Sequence, residues 1–395
     1  MRVFMITTMF PDPVYSFSGI TIYNTMKCLR EIGYEFHVVI PIPITPFPLN
    51  ILHKTARRFR KYPQYSIYDG FSIEYMRYPL LPKYSNYYWF GDTFWNYNKH
   101  KLIERVLEFN PDIIWSQPSL PCGWAGLQIC NKLPHLSNIV VVHGGDIHKL
   151  IKVHSARKRI IEVYNKTDRV IAVSDKLAQQ IAILAPSTRC KVIPNGINIK
   201  EYELESNKYS DDNRSIRLVS VSNLIRTKGI EFNIIALSAL TKEFPNLCYQ
   251  IIGDGEDKYR LLDLVLRYGL EEKVEFLGYL DNNQVIEHLK YSHIFSLPSY
   301  EEGFGVVYLE AMAAGLPVIG IQDQGISDII RNSENGFLVQ PQQVEPIVEI
   351  LRLLCSDGEF RKLIGNNGRK TAEQYDWSEI SLIYDNEFKN IKSLT

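Results

Sequence analysis

The chain has 395 residues, 45% of them hydrophobic and 22% charged, enough for a large core and for more than one domain. Formal charge is zero, but residues 1–200 carry 25 Lys+Arg against 13 Asp+Glu, and residues 201–395 carry 19 against 31, a net of +12 and −12. This balance excludes a uniformly basic polyanion binder. It leaves the first half open to anionic membranes, phosphorylated lipids, polyanionic glycans or nucleic acid, or to attraction by the acidic half.

The six cysteines show no CxxC and no paired metal spacing, so reduced thiols in a cytosolic setting are expected. No apolar run reaches the roughly 20 residues a membrane span requires. In chain order, VFMITTMF (3–10) predicts a first strand, residues 20–32 a helix stopped at Gly33, and residues 35–40 a second strand. Residues 41–100 break the rhythm. They hold PIPITPFPLN, KTARRFRKYPQY and YPLLPKYSNYYWFGDTFWNY, a basic insertion crowded with proline and aromatics that suits contact with an acceptor or a membrane interface. IIWSQP, IVVVHGGD and DRVIAVSD are further short strands, each ending on polar residues or glycine.

The polar stretch 203–215 reads as a linker, after which the pattern restarts. IRLVSVSN, LCYQIIGDGED, KVEFLGYL and IFSLPSY predict strands that alternate with helices, followed by a helix at 304–314 and a strand at 317–321. Such alternation predicts an α/β protein of two Rossmann-like domains. We assign residues 1–205 to the first and 206–375 to the second, with a last helix at about 376–395 expected to pack back on the first.

The sequence EEGFGVVYLE places Glu302 and Glu310 eight apart, with Gly303 and Gly305 between them. A helix beginning there exposes backbone N–H groups that suit anionic or hydroxyl-rich ligands, and a carboxylate beside them can accept hydrogen bonds from sugar hydroxyls. His143, in HGGD, follows a strand, and a polar group just past the carboxyl end of a parallel strand faces the ligand crevice of its sheet. No His/Asp/Cys cluster has metal-site spacing.

Together these motifs are recognisable. PSYEEGFGVVYLEAMAAGLPVI (298–319) resembles the EX7E signature of retaining glycosyltransferases of family GT4, which have the GT-B fold. VIPNGIN (192–198), Lys228-Gly229, IIGDGE (251–256), FLGYL (276–280), ISDIIRNSENGFLV (326–339) and HGGD (143–146) extend the resemblance in the family's order. The resemblance implies transfer of a hexose-type sugar from a UDP- or GDP-linked donor to a hydroxyl of a glycan or lipid-linked acceptor, without a metal or other cofactor.

By the same resemblance, Glu302 lies near the donor sugar and Glu310 contacts the ribose. The backbone of Gly303, Phe304 and Gly305 holds sugar hydroxyls and approaches the phosphates. Lys228 neutralises the diphosphate, and His143 positions the sugar. Asn223 stands where the family carries arginine and cannot supply its charge, so nearby Arg226 is the candidate substitute. Ser18-Gly19 takes the place of a common Gly-Gly pair near the phosphates, Gly253 supports the nucleotide region, and Tyr279 is a candidate for the base. Gln324 and Asp328 occupy positions often written as Gly and Glu.

The basic first half and family habit point to surface polysaccharide assembly, such as capsule or lipopolysaccharide. The protein is then cytoplasmic, with peripheral contact at the anionic inner face of the membrane, and no nucleic-acid reader motif is present. Two rivals stand beside this reading. One is a nucleotide-sugar epimerase or hydrolase on a similar fold. The other is a catalytically silent glycan- or nucleotide-binding protein, for which Asn223 is the best support.

Overall fold

The protein is described from a computed structural model covering residues 1–11, 19–44, 59–80, 88–203 and 215–393. Ser18, almost all of the 203–215 stretch and parts of the 41–100 insertion lie outside the described residues. The chain divides into two compact units, residues 1–195 with 377–395, and residues 196–376.

The first unit is built from β1 (Arg2–Thr7), α1 (Ile20–Glu31), β2 (Glu35–Ile44), β3 (Tyr65–Tyr68), β4 (Phe71–Pro79), α2 (Tyr88–Phe109) and β5 (Ile113–Gln117). It continues through α3 (Trp124–Lys132), β6 (Ser137–Val142), the short α4 (Gly145–His148), α5 (His154–Lys166), β7 (Arg169–Ala172), α6 (Asp175–Leu184) and β8 (Cys190–Val192). The strand order is β3-β4-β2-β1-β5-β6-β7-β8, parallel except for β3 against β4. Val3 to Ile6 of β1 are fully buried, as expected for a central parallel strand covered on both faces. The order reverses between β1 and β5, so the carboxyl ends of these strands flank the sheet's switch point.

The insertion contributes β3, β4 and α2 to this unit. β3 and β4 form a hairpin that turns at Asp69-Gly70, both at positive φ. Glu74 of β4 is almost fully buried. Burial alone works against its ionisation, but hydrogen bonds from His37, Lys101 and Tyr65 and the charge of Lys101 outweigh that cost and hold the carboxyl at about 2.

The second unit contains β9 (Ile216–Val221), α7 (Ile230–Leu240), β10 (Leu247–Ile252), α8 (Lys258–Arg267), β11 (Val274–Gly278), α9 (Asn282–Lys290) and β12 (Ile294–Ser296). It is completed by α10 (Val306–Ala313), β13 (Val318–Ile321), β14 (Phe337–Val339), α11 (Glu345–Ser356) and α12 (Gly358–Glu373). All six strands run parallel in the order β11-β10-β9-β12-β13-β14, which reverses between β9 and β12. A buried polar network braces that reversal. Asn233 Nδ2 of α7 donates to Ser296 O at 3.0 Å, Ser296 Oγ donates to Asn233 Oδ1 at 2.7 Å, and Ser220 Oγ lies 2.6 Å from the Tyr249 hydroxyl. Every member finds a partner, so the network fixes one arrangement of β9, β10, β12 and α7.

Residues 196–203 belong to this unit, ahead of the boundary expected at 205/206. The Ile197 N–H donates to Tyr375 O at 2.9 Å, and Arg369 donates to Tyr202 O at 2.8 Å. The chain then returns to the first unit through α13 (Trp377–Lys392). Phe388 is fully buried against Trp115 and Tyr384. The Tyr34 hydroxyl donates to Asp385 Oδ1 at 2.7 Å, and buried Glu387 lies between Arg169 and Lys191, at 2.5 and 3.1 Å. The two β/α/β units are the two Rossmann-like domains that the strand and helix pattern predicts.

Candidate active site

In the second unit, the loops that leave β9 and β12 meet at the switch point. Lys228 Nζ donates to Glu302 Oε2 at 2.6 Å, and both side chains are mostly shielded, each 17% exposed. The loops are stitched by Tyr300 N–H to Thr227 O at 3.0 Å. Gly229, which precedes α7, has φ +66, and a Cβ there would fall 2.3 Å from Pro298 O. Only glycine permits this approach. Gly305, at φ +83, precedes α10 in the same left-handed conformation. The helix therefore starts at Val306, two residues beyond the expected Phe304, because the glycine turns the chain into it. Two helix N-termini, with their unsatisfied N–H groups and positive dipole ends, thus flank one lysine–glutamate pair.

The remaining residues singled out in this unit lie on the surrounding loops. Gly253 (φ +130) donates its N–H to Gly278 O at 2.7 Å, and a Cβ on it would overlap Ser222 O. Asn223 is exposed. Arg226 is 69% exposed, with its Nε 3.8 Å from Asp257 Oδ1, so it is a solvent-screened surface cation. Tyr279 is exposed on the loop after β11. Phe304 is buried, so it is through its backbone that this residue faces the loop. Glu310 is half-buried in α10; burial, then the charge of Glu201, pushes its carboxyl up to about 7.

In the first unit, His143 follows β6, and its Nε2 lies 2.8 Å from Gln117 Oε1 at the end of β5. Burial lowers the imidazole to about 4, so the ring is neutral at physiological pH. Asp146 is buried and accepts the Ser119 N–H at 3.2 Å. Desolvation outweighs that bond and pushes its carboxyl up to about 7. Gly19 (φ +70) opens α1, with no room for a Cβ against the Met9 and Phe10 backbone.

Two residues of these sites were not among the sequence candidates. Gln117 gave only a weak signal, as a polar strand end before proline. Gln324 was visible solely as a departure from glycine, yet its Oε1 accepts the Glu302 N–H at 3.1 Å. Among the described residues, no group of three His, Cys, Asp or Glu side chains could hold a metal ion, and no helix is long and apolar enough to cross a membrane.

A family model described as Glycosyltransferase Family 4 matches residues 18–201, and one described as Glycosyl transferases group 1 matches residues 201–371. One glycosyltransferase model thus covers each half of the chain, and the two together span residues 18–371. A putative teichuronic acid biosynthesis glycosyltransferase of Bacillus subtilis is 24% identical over 89% of this chain and 88% of the relative. Two curated glycosyltransferases at 33% and 30% identity share with the chain stretches that span about half of their own length, 55% and 46%. Among solved structures, sucrose-phosphate synthase of Thermosynechococcus elongatus superposes with a TM-score of 0.79 at 19% identity, covering 100% of both chains. HepE of Anabaena, in complex with UDP-glucose, gives 0.72 at 19% identity, covering 99% of this chain and 100% of its own. These likenesses establish the GT-B fold of this glycosyltransferase.

Proposed function

We propose that this glycosyltransferase moves a sugar from a UDP- or GDP-linked donor to a hydroxyl of a glycan or lipid-linked acceptor, with retention at the anomeric carbon. The observation that carries the reading is the Lys228–Glu302 pair at 2.6 Å, set between two helix N-termini at the switch point of the second unit. One partner is a fixed cation for the diphosphate, and the other is a fixed carboxylate for sugar hydroxyls. The second unit is then the donor domain and the first the acceptor domain. A UDP-linked donor is favoured by the likeness to HepE, whose structure holds UDP-glucose.

In the reaction, the bond between the anomeric carbon and the β-phosphate oxygen breaks, and its electron pair stays on the leaving diphosphate. Lys228 and the helix ends stabilise that charge, with Arg226 swinging in where Asn223 supplies none. The acceptor oxygen bonds to the same face of the sugar, and its proton passes to the departing β-phosphate. Within the second unit, Glu302 holds the sugar, Glu310 holds the ribose, and the backbone at Gly253, Gly303 and Gly305 makes room for the ligand. Tyr279 is placed against the base. The net +12 of residues 1–200 and the teichuronic acid relative favour an anionic surface polysaccharide or its lipid-linked precursor as acceptor, reached from the inner face of the membrane.

Calorimetry with UDP-glucose, UDP-galactose, UDP-N-acetylglucosamine and GDP-mannose tests this. One donor is expected to bind, at least about tenfold more weakly to K228A and E310A, the loss of one charge-assisted hydrogen bond each. A folded protein that binds none of the four, or a K228A protein that binds as the wild type does, contradicts the reading.

A further inference from the structure

Gln324 follows β13 and leads into the 3-10 turn Gly325–Asp328. Its side chain is buried, at 7% exposure, and its Oε1 accepts the backbone N–H of Glu302 at 3.1 Å. The donor is a peptide N–H, which identifies the amide atom facing it as the oxygen. The same side chain caps the 3-10 turn Gly325–Asp328 by accepting a backbone N–H of that turn, and Ser327 Oγ in turn accepts the Gln324 N–H at 3.3 Å. Next to it, Gly325 presses on the loop from the other side. A Cβ there would lie 2.3 Å from Gly303 O and 2.6 Å from the Phe304 Cα. The turn after β13 therefore grips the Glu302–Phe304 backbone twice, once by a hydrogen bond and once by close contact. Glu302 is the residue so held, and its carboxylate is the one that Lys228 meets.

We infer that Gln324 is a positioning residue that clamps the Glu302 peptide, fixing the carboxylate against Lys228 and setting the shape of the loop that receives the donor sugar. A glycine at this place would have no side chain to accept the Glu302 N–H. Here it is already committed, so the donor hydroxyls meet a stiffer loop with one donor fewer. The clamp thereby bears on which sugar is accepted as well as on how tightly. This inference rests on the donor-site reading of Glu302.

The test uses three variants of the full chain. Q324M keeps the bulk and removes the acceptor, Q324E keeps an oxygen acceptor, and Q324G removes the side chain. Hydrogen exchange over residues 299–305 reads the clamp without any donor present. The expected result is fast exchange at Glu302 in Q324M and Q324G and retained protection in Q324E. Unchanged protection in Q324M overturns the inference, whatever the activity. Kinetics with the donor found by calorimetry read its consequence. KM for the donor should rise about tenfold in Q324M, the worth of one buried hydrogen bond, with a partial return in Q324E, and Q324G should change the ranking of donor sugars. If protection falls while KM and donor ranking stay at wild-type values, the positioning role is refuted. If protection falls but the wild type binds and turns over no donor, the clamp stands and it is the reading of the site that fails.

Discussion

At the scale of single residues, half-buried His143 and buried Asp146 of the first unit carry opposite pH signatures. The His143 imidazole is lowered to about 4 by burial, and the Asp146 carboxyl is raised to about 7 by burial. For Asp146 the folded chain holds its proton more tightly than the unfolded chain does. Its stabilising contribution is present below the ordinary carboxyl value near 4 and is lost as pH rises through 7. For His143 the unfolded chain binds the proton more tightly, so stability is lost as pH falls from about 6.5 toward 4. D146N should therefore become more stable relative to the wild type as pH rises from 5 to 8. All five tryptophans lie at positions 89, 95, 115, 124 and 377, within the first unit, so melting followed by tryptophan fluorescence reads this directly. A wild-type to D146N difference that stays constant across that range means that Asp146 does not titrate there.

At the scale of elements, the donor loops depend on left-handed glycines for two separable reasons. Gly229 and Gly269 both lie in the second unit at nearly the same φ, +66 and +63, but a Cβ on Gly269 meets nothing within 4 Å, whereas one on Gly229 strikes Pro298 O. G269A should cost about 1 kcal/mol, the backbone term alone. G229A should cost visibly more, because the β9 and β12 loops must part, and with them Lys228 and Glu302. Far-ultraviolet circular dichroism in urea should show the larger fall in midpoint for G229A; equal midpoints would mean that the loops yield freely. The elements themselves were largely legible in the sequence. Short apolar strands ending on glycine or polar residues marked β1, β2, β5 to β7 and β9 to β13, because parallel strands buried on both faces must be continuously apolar. The β3–β4 hairpin was missed amid proline and aromatic residues, although Asp69-Gly70 is a strong hairpin-turn pair. The pairing of Lys228 with Glu302, 74 residues apart, and the grip of Gln324 are tertiary facts. Sequence spacing carried neither, and only the motif resemblance put the first two residues in one place.

At the scale of the whole molecule, the chain leaves the first unit at Asn195, builds the second, and returns at Trp377. The return helix is part of the first unit's core rather than an appendage, since Phe388 is fully buried beside Trp115 and Tyr384. It also carries Glu387, which gives Arg169 and Lys191 their buried carboxylate. Each unit thus needs its own complement of chain, and α13 packs against Trp115 of β5 in a sheet whose first strand begins at Arg2. Removing the Phe388 ring should cost about 3–5 kcal/mol, on the order of 10 °C in melting temperature for a unit of roughly 200 residues. Because the second unit contains no tryptophan, fluorescence follows the first unit alone while circular dichroism follows both. F388A should therefore lower the fluorescence-detected transition by that amount and leave a circular-dichroism transition at the wild-type temperature. If the fluorescence transition stays in place, the helix is dispensable to the first unit's core. If both signals fall together by the same amount, the two units melt as one, and the division of the chain at Asn195 and Trp377 is not a division in stability.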